Sequence, residues 1–387
     1  MPVPVRPRRI RRGGVCLTLA LLAVSAGPTA AATPERFDPL RQQVDAVYAT
    51  GVVGVSAEAT SAGIRDSARA GTARRDGSTP MPRNGRFRIG SATKSFTAAV
   101  MLQLVGEGRL SLEDTVDRWL PGVIAGNGFD GSRITVRQLL QHTSGIPDVV
   151  SRIPALNSAD AYRAERFRTY TPEELVALAL ASGNAAVSAS DRAWSYSNTN
   201  YVLAAMVIRQ VTGRTWAREV NDRIIRPLGL TDTSAPETSP SIPGPHAHSY
   251  TTFRNGTGVG TDVTALDASM AIGSGALIST TRDLNRFYTA LLGGRLLAPA
   301  QLDEMTTTVP APELGIPGVR YGLGLGEIPL SCGGTYFGHP GELLGYRSWA
   351  GVTRDGTRTA VVYVTSDGGP QTQEAMSALV DRELCGV

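Results

Sequence analysis

Lysine is almost absent from this chain, since Lys94 is the only one among 38 lysine and arginine residues. An arginine does not give up its proton in a protein, whereas a lysine removed from water can. Arginine supplies every other fixed positive side-chain charge of the chain. Lys94 is therefore the one basic side chain of this kind that is a candidate proton acceptor.

Cysteine and histidine are also scarce, with three cysteines and four histidines in 387 residues. So few scattered ligands give no recognisable metal cluster, and we predict neither a metal nor another cofactor. Cys16 lies in the N-terminal segment described next, which leaves Cys332 and Cys385 as a pair. In an exported protein, an even pair of cysteines predicts a disulfide bond.

The chain has no stretch of about twenty apolar residues, so no membrane-spanning helix is predicted. Residues 1–32 instead combine five arginines, a short apolar run at 15–24 and three alanines at 30–32. This order is typical of a secretory signal peptide, and we expect its removal and a secreted, extracellular protein. The formal charge of +4 comes from those five arginines, so we expect no nucleic-acid partner.

Hydrophobic periodicity divides the remaining chain into two kinds of structure. Alternating polar and apolar residues predict antiparallel strands. These patterns lie at 52–60, 64–73, 87–89, 322–326, 335–338, 346–352 and 357–365. Helical patterns and turns dominate between the strands that end at residue 89 and those that begin at residue 322. We predict an α/β (α+β) fold whose antiparallel sheet, flanked by helices, is built from residues 33–107 and 265–387, with an all-helical subdomain inserted at 108–264.

Ser91 lies three residues before Lys94 and is followed by a helical pattern of apolar residues. Residues three apart share one face of a helix, so the serine hydroxyl and the lysine amine are expected to meet. This spacing is typical of a serine nucleophile with a lysine base. The alternative is that Ser91 caps the helix and Lys94 is a surface residue. A cation in the first turn opposes the helix dipole, which favours the catalytic interpretation.

A second motif is Tyr196-Ser197-Asn198. If Tyr196 lies near Lys94, the ammonium group of the lysine would lower the pKa of the Tyr196 phenol. Tyr196 would then take the proton of Ser91 and later protonate the leaving group. The alternative for an isolated tyrosine of this kind is a packing role.

A third motif is His339-Pro340-Gly341, followed by Glu342. Gly341 would permit close approach of a substrate. The backbone N–H groups of Ser91 and Glu342 would together bind an oxyanion. A structural role is the alternative for His339 alone. The order and spacing of the three motifs favour one shared catalytic site.

These motifs resemble the S-x-x-K, Y-x-N and (K/H)-x-G elements of the penicillin-recognising serine enzymes. That superfamily contains DD-peptidases, class C β-lactamases and related esterases. Further segments at 86–90, 138–145 and 321–333 resemble the secreted serine D-Ala-D-Ala carboxypeptidases. The resemblance covers nearly the whole chain after the signal peptide and implies a β-lactamase/transpeptidase-like fold.

The resemblance also implies a reaction, namely acyl transfer through a Ser91 acyl-enzyme. The implied substrate ends in D-Ala-D-Ala, as in a peptidoglycan stem peptide, and β-lactams would acylate the same serine. Lys94 and Tyr196 would handle protons, Asn198 would orient Lys94 and the substrate amide, and His339 would keep Tyr196 polarised. We expect a monomer that acts on a small-molecule or peptide substrate.

The sequence departs from the carboxypeptidase pattern where a substrate carboxylate would bind. Pro340 and Glu342 stand where threonines are common, and Glu327 lies near the position of a carboxylate-binding arginine. Arg320 or Arg347 would have to supply that charge, because a charge-assisted hydrogen bond contributes about 1.5–3 kcal/mol. The alternatives are an esterase, a D-amino-acid amidase or peptidase, and a β-lactamase. A non-catalytic penicillin-binding module is a further one.

Overall fold

The computed structural model describes residues 1, 2, 39–181, 194–253 and 260–386. The predicted signal peptide therefore lies outside the described residues, apart from its first two. In the part of the chain that is described, no helix is both long enough and apolar enough to cross a membrane.

The α-helices of these residues are, in chain order, α1 Pro39–Tyr48, α2 Thr93–Gly106, α3 Val116–Trp119, α4 Val136–Gln141, α5 Ala159–Glu165, α6 Pro172–Leu180, α7 Thr199–Thr212, α8 Trp216–Val220, α9 Arg226–Leu228, α10 Thr281–Leu292, α11 Pro299–Thr306 and α12 Pro370–Cys385. The strands are β1 Gly54–Ser61, β2 Ile64–Gly71, β3 Phe87–Arg88, β4 Ala125–Gly126, β5 Phe129–Asp130, β6 Tyr250–Thr251, β7 Thr261–Asp262, β8 Ile278–Ser279, β9 Val309–Pro310, β10 Arg320–Tyr321, β11 Gly326–Pro329, β12 Thr335–Gly338, β13 Gly341–Leu343, β14 Tyr346–Thr353 and β15 Arg358–Val364.

The main sheet joins strands from both ends of the chain. Its order is β2-β1-β15-β14-β12-β11-β10-β9, with β13 added beside β14, and its strand pairs are antiparallel. The N-terminal and C-terminal parts meet where β1 pairs with β15, with Ala57 opposite Val362. An antiparallel sheet with helices around it confirms the predicted fold class.

Strand β15 shows how the sheet is covered on both faces. Val361 belongs to a hydrophobic core shared with Phe96 of α2 and Phe287 of α10, whose rings stack with centroids 3.6 Å apart. Val362 belongs to a second core shared with Val380 of α12. Alternate residues of a strand point to opposite faces, so both layers of helices bury one set of side chains. Each buried valine contributes roughly 2 kcal/mol to stability.

The prediction of a strand at 322–326 is wrong for all of these residues except the last, Gly326, which begins β11. Residues 322–325 form a bend between β10 and β11. Gly324 has a φ of 78°, and a Cβ there would lie 2.9 Å from the carbonyl oxygen of Lys94. Glycine thus lets the bend approach α2, where Ser95 Oγ donates a hydrogen bond to the Gly324 carbonyl over 2.7 Å. The bend supports the helix that carries the candidate lysine.

The segment between 108 and 264 contains helices α3 to α9 and two short strand pairs, β4 with β5 and β6 with β7, in its described part. Asp38–Val387 forms one compact unit. The boundaries proposed from the sequence for an inserted helical subdomain therefore stay a prediction.

Cys332 and Cys385 are joined by a disulfide bond. The bond connects the loop after β11 to the last residue of α12. Leu379 and Val380 of that helix are buried against the sheet. The disulfide therefore links the end of α12 covalently to the sheet on which this helix packs.

Candidate active site

Ser91 lies where the short strand β3 turns into α2. It occupies a 3₁₀ turn, Gly90–Ala92, directly before that helix. Gly90 has a φ of 51°, and a Cβ there would lie 2.5 Å from the backbone nitrogen of Glu342. Only glycine allows this approach, and the close contact places the backbone of Glu342 beside the serine.

The side chain of Ser91 does not cap α2. The cap position is Ala92, and no side chain caps the helix there. Ser91 Oγ instead accepts a hydrogen bond from Lys94 Nζ over 3.0 Å. Lys94 is fully buried, so the alternative of a capping serine with a surface lysine is wrong.

Lys94 Nζ is surrounded by three acceptors. Besides Ser91, it donates to Asn198 Oδ1 over 2.7 Å and to the carbonyl of Ser274 over 3.0 Å. Burial lowers the pKa of Lys94 to about 7, and the nearby charge of Asp148 opposes this shift. Near neutral pH a substantial fraction of Lys94 is therefore a neutral amine in contact with the serine hydroxyl. In that form it can accept the proton of Ser91.

Tyr196 joins the same group of side chains, but its ionisation differs from the prediction. Lys94 Nζ lies 4.8 Å from the centre of the Tyr196 ring. Burial raises the pKa of Tyr196 well above its ordinary value, and a hydrogen bond with Ser91 lowers it only in part. The predicted lowering of the Tyr196 pKa is wrong because burial raises this pKa and the nearby charge of Asp148 raises it further. Tyr196 is a neutral phenol that can donate a proton.

Asp148 orients Asn198 and was missed by the sequence analysis. Its Oδ1 accepts hydrogen bonds from the Asn198 backbone N–H over 3.0 Å and from Nδ2 over 3.1 Å. With Nδ2 held in this way, Oδ1 of Asn198 faces Lys94. The only sequence signal was a Pro147-Asp148 pair in a turn, which is too common to indicate such a role.

His339 is a neutral side chain that binds a second missed residue, Tyr321. Its Nδ1 lies 2.6 Å from the Pro340 carbonyl and therefore carries the proton. Its Nε2 lies 2.9 Å from Tyr321 Oη and accepts that hydrogen bond. Burial, with the charge of Lys94, lowers the pKa of His339 to about 3. A charged His339 that polarises Tyr196 is therefore excluded above that pH.

His142 packs beneath Tyr196 and was not proposed for the site. The two ring centroids are 4.4 Å apart, and His142 Nδ1 accepts a hydrogen bond from the backbone N–H of Ser197 over 3.2 Å. The side chain is fully buried, and burial lowers its pKa well below the ordinary value. It supports the segment that carries Tyr196 and Asn198.

Gly341 brings β13 against the serine turn. A Cβ at this position would lie 2.0 Å from the carbonyl oxygen of Ile89 and 2.5 Å from Ser348 Oγ. The strand therefore runs past Ser91 at a distance that only glycine permits. With Glu342 next in the strand, this is the arrangement that the predicted pair of oxyanion donors requires.

A pocket of about 240 Å³ opens above Ser91. Part of its wall is apolar and consists of Leu314, Ile316, Trp349 and Met376. Of the two arginines considered from the sequence, Arg347 lines the pocket. Arg320 instead donates to Thr308 Oγ1 over 2.8 Å.

The described part of the chain has no group of three or more histidine, cysteine, aspartate or glutamate side chains placed to hold a metal ion. A serine hydroxyl, a lysine of lowered pKa and a phenol lie together beside one pocket, and such a set can carry out acyl transfer.

The family model described as beta-lactamase matches residues 40–384. The chain belongs to the beta-lactamase family. Membership confirms the resemblance to the penicillin-recognising serine enzymes, and the protein is a serine hydrolase of the beta-lactamase fold.

The chain is similar to a penicillin-binding protein and to an amidohydrolase. Penicillin-binding protein 4* of Bacillus subtilis (strain 168) is 30% identical over 240 residues, which are 59% of this chain and 50% of the relative. The match thus spans half the length of that relative. A D-stereospecific amidohydrolase from Streptomyces sp. is 42% identical, with a TM-score of 0.81 over 90% of this chain and 98% of that one.

The solved structure of a D-amino acid amidase from Ochrobactrum anthropi SV3, complexed with L-phenylalanine amide, is also similar. It is 29% identical, with a TM-score of 0.76 over 88% of this chain and 94% of that one. The two structural relatives are matched nearly end to end, in contrast to the penicillin-binding protein.

Proposed function

We propose that this protein is a serine amidohydrolase that releases ammonia or an amine from D-amino acid amides and D-aminoacyl peptides. The observation that carries the proposal is the 42% identity to a D-stereospecific amidohydrolase over 98% of that chain. The apolar wall of the pocket supports it, because it offers a place for a substrate side chain directly beside Ser91.

The acylation step follows from the contacts of Lys94. Its neutral amine takes the proton of Ser91 Oγ, and the oxygen attacks the substrate carbonyl carbon. The backbone N–H groups of Ser91 and Glu342 stabilise the negative charge that forms on the carbonyl oxygen. Lys94, with its lowered pKa, fits the acceptor better than Tyr196, whose pKa is raised.

The leaving group then needs a proton. Tyr196 donates its hydroxyl proton to the nitrogen as the carbon–nitrogen bond breaks, and the proton held by Lys94 replaces it. Ammonia or an amine leaves, and the acyl group remains on Ser91 as an ester. A water molecule hydrolyses this ester by the same proton path in reverse, which releases the acid and restores the serine.

The test is steady-state hydrolysis of D-phenylalanine amide, with L-phenylalanine amide as the stereochemical control and Ser91→Ala as the catalytic control. We expect release of ammonia from the D-amide only, and none with Ser91→Ala. Turnover of neither amide by the wild-type protein would overturn the proposed function. Unchanged turnover by Ser91→Ala would show that the serine is not the nucleophile.

A D-Ala-D-Ala carboxypeptidase or penicillin-binding enzyme is a second candidate, favoured by the 30% identity to a penicillin-binding protein. Intact-mass measurement of the protein with benzylpenicillin and with a diacyl-D-Ala-D-Ala peptide separates it from the amidase. Free D-alanine is assayed in the peptide incubation, because its release identifies a carboxypeptidase whether or not a penicillin adduct persists. Rapid loss of the penicillin adduct identifies a β-lactamase, and ester turnover alone identifies an esterase.

We further propose that the protein is secreted after removal of residues 1–32 and that it acts as a monomer on peptide or small-molecule substrates outside the cell. The N-terminal charge pattern and the disulfide between Cys332 and Cys385 support export, because disulfides persist in oxidising compartments. N-terminal sequencing of protein from the culture medium, with its mass in solution by light scattering, tests both statements.

A further inference from the structure

The pocket above Ser91 contains a pair of opposite charges on neighbouring strands. Glu342 of β13 faces Arg347 of β14 in the sheet register. Arg347 Nη2 lies 3.1 Å from Glu342 Oε2. The Glu342 side chain is 61% exposed, against 27% for Arg347. The carboxylate is therefore the more accessible of the two charges for a molecule that enters the pocket.

The positive groups near Ser91 are engaged or buried, and the one Arg347 side-chain nitrogen without a hydrogen-bond partner, Nε, is inaccessible to water. Arg347 Nη1 donates to the carbonyl of Gly368 over 2.9 Å, while Nη2 holds Glu342. Lys94 is fully buried and contacts three acceptors. His339 holds its single ring proton against the Pro340 carbonyl. The pocket thus offers a substrate an anion rather than a free cation.

The position of Glu342 relative to the reacting atoms is fixed by its backbone. Gly90 and Gly341 allow β13 to lie directly against the serine turn. The N–H group of Glu342 is one of the two oxyanion donors of the proposed mechanism. In an amino acid amide, the carbonyl carbon and the carbon that carries the amine are directly bonded. A single residue can therefore bind the carbonyl oxygen through its backbone and the amine through its side chain.

We propose that the Glu342 carboxylate binds the α-ammonium group of the substrate and makes the enzyme selective for acyl groups with a free amine. This inference rests on the proposed amidohydrolase function and names the residue that recognises its substrate. Arg347 is a positioning residue that holds the carboxylate in place. The ammonium at Glu342, the carbonyl at Ser91 and a side chain against the apolar wall fix three substituents of one carbon, which is the requirement for stereoselectivity.

The test compares methyl esters of D-phenylalanine, N-acetyl-D-phenylalanine and N-succinyl-D-phenylalanine. Esters are used because a serine hydrolase can cleave them whether or not it also cleaves amides. We expect the wild-type enzyme to prefer the free amine over the acetylated ester in kcat/KM by at least about tenfold. Glu342→Gln should reduce that preference about ten- to hundredfold, mainly through KM. Glu342→Lys should reverse it in favour of the succinylated ester.

Glu313→Gln is the matched control, because Glu313 is an exposed glutamate beside the pocket residue Leu314 and does not line the pocket. It removes the same charge and should leave the ratio between the esters unchanged. The pH dependence adds a second readout. The kcat/KM of the free-amine ester should fall as its ammonium loses the proton, near pH 7–8, whereas that of the acetylated ester should not.

An equal or higher kcat/KM of the wild-type enzyme for the acetylated ester would overturn the inference. Loss of selectivity in Glu313→Gln as great as in Glu342→Gln would also overturn it, since the effect would then be a general one of charge. Failure to hydrolyse D-phenylalanine amide, with the ester preference intact, would overturn the proposed amidase function and leave Glu342 as the determinant of an amine-selective esterase.

Discussion

Ser91 separates two polar regions that differ in their access to water. On the inner side, Lys94 is fully buried and its Nζ contacts three fixed acceptors. On the outer side, Glu342 pairs with Arg347 but stays 61% exposed. Burial shifts the pKa of Lys94 and suits a group that moves protons, whereas an exposed carboxylate is accessible to a substrate. The comparison assigns proton transfer to the inner side and recognition to the outer side.

The largest predicted effect on kcat is that of Lys94→Arg, which keeps the positive charge of the inner side but removes the proposed base. We expect kcat to fall by at least about 10³, because arginine does not release its proton in a protein. Thermal unfolding of the variant is the control for an intact fold, and Ser91→Ala gives the background rate. Activity within tenfold of wild type would rule out Lys94 as the proton acceptor.

The pH dependence of kcat/KM tests whether Lys94, on the inner side, is the base. With the acetylated ester, which has no amine, kcat/KM should rise with pH up to about 7 and then level off. Lys94, whose pKa burial lowers to about 7, must lose its proton to act as the base. Activity should therefore fall about tenfold for each pH unit below 6. A flat profile between pH 5 and 8 would contradict this role.

Asp148→Asn should have a smaller effect on the same side. The Asp148 charge opposes the lowering of the Lys94 pKa, so its removal should move the rising limb of the profile to lower pH. We expect plateau kcat to fall about tenfold as well, since Asn198 loses a charged partner for its Nδ2. Asp160→Asn is the control, because that carboxylate is 97% exposed. A limb that moves to higher pH would contradict the electrostatic explanation.

The smallest effect on catalysis is expected away from both regions, at the disulfide. Replacing Cys332 and Cys385 together by serine should lower the free energy of unfolding by up to about 4 kcal/mol, given their separation of 53 residues. We expect kcat to change less than twofold, because neither cysteine lines the pocket. Urea denaturation and steady-state kinetics measure the two quantities. A large loss of kcat with unchanged stability would contradict a structural role.

Much of the fold could be predicted because the signals were local. The strands β1, β2, β14 and β15 follow the alternating patterns of the sequence. The bend at 322–325 could not be predicted, since its alternating residues also fit a strand. The glycines there serve a contact with α2, and that contact depends on a helix more than two hundred residues away.

The candidate site was predictable in its members but not in their ionisation. The motif spacing indicated Ser91, Lys94, Tyr196 and Asn198, and the structure brings these side chains together. The direction of the Tyr196 pKa was predicted wrongly, because a sequence reveals the neighbouring charge but not the loss of water around the phenol. Asp148 was missed because its partner lies fifty residues away and no motif links them.

The sequence by itself indicated the Ser91–Lys94 pair and the cysteine pair, since both follow from residue counts and short spacings, and its motifs carried the resemblance to the family. Only the tertiary structure decided which groups are charged and which charge a substrate meets. Burial lowers the pKa of Lys94 and keeps His339 neutral, and the Glu342 carboxylate stays exposed where β13 pairs with β14. These properties depend on solvent access and on contacts between distant segments, which exist only after the chain has folded.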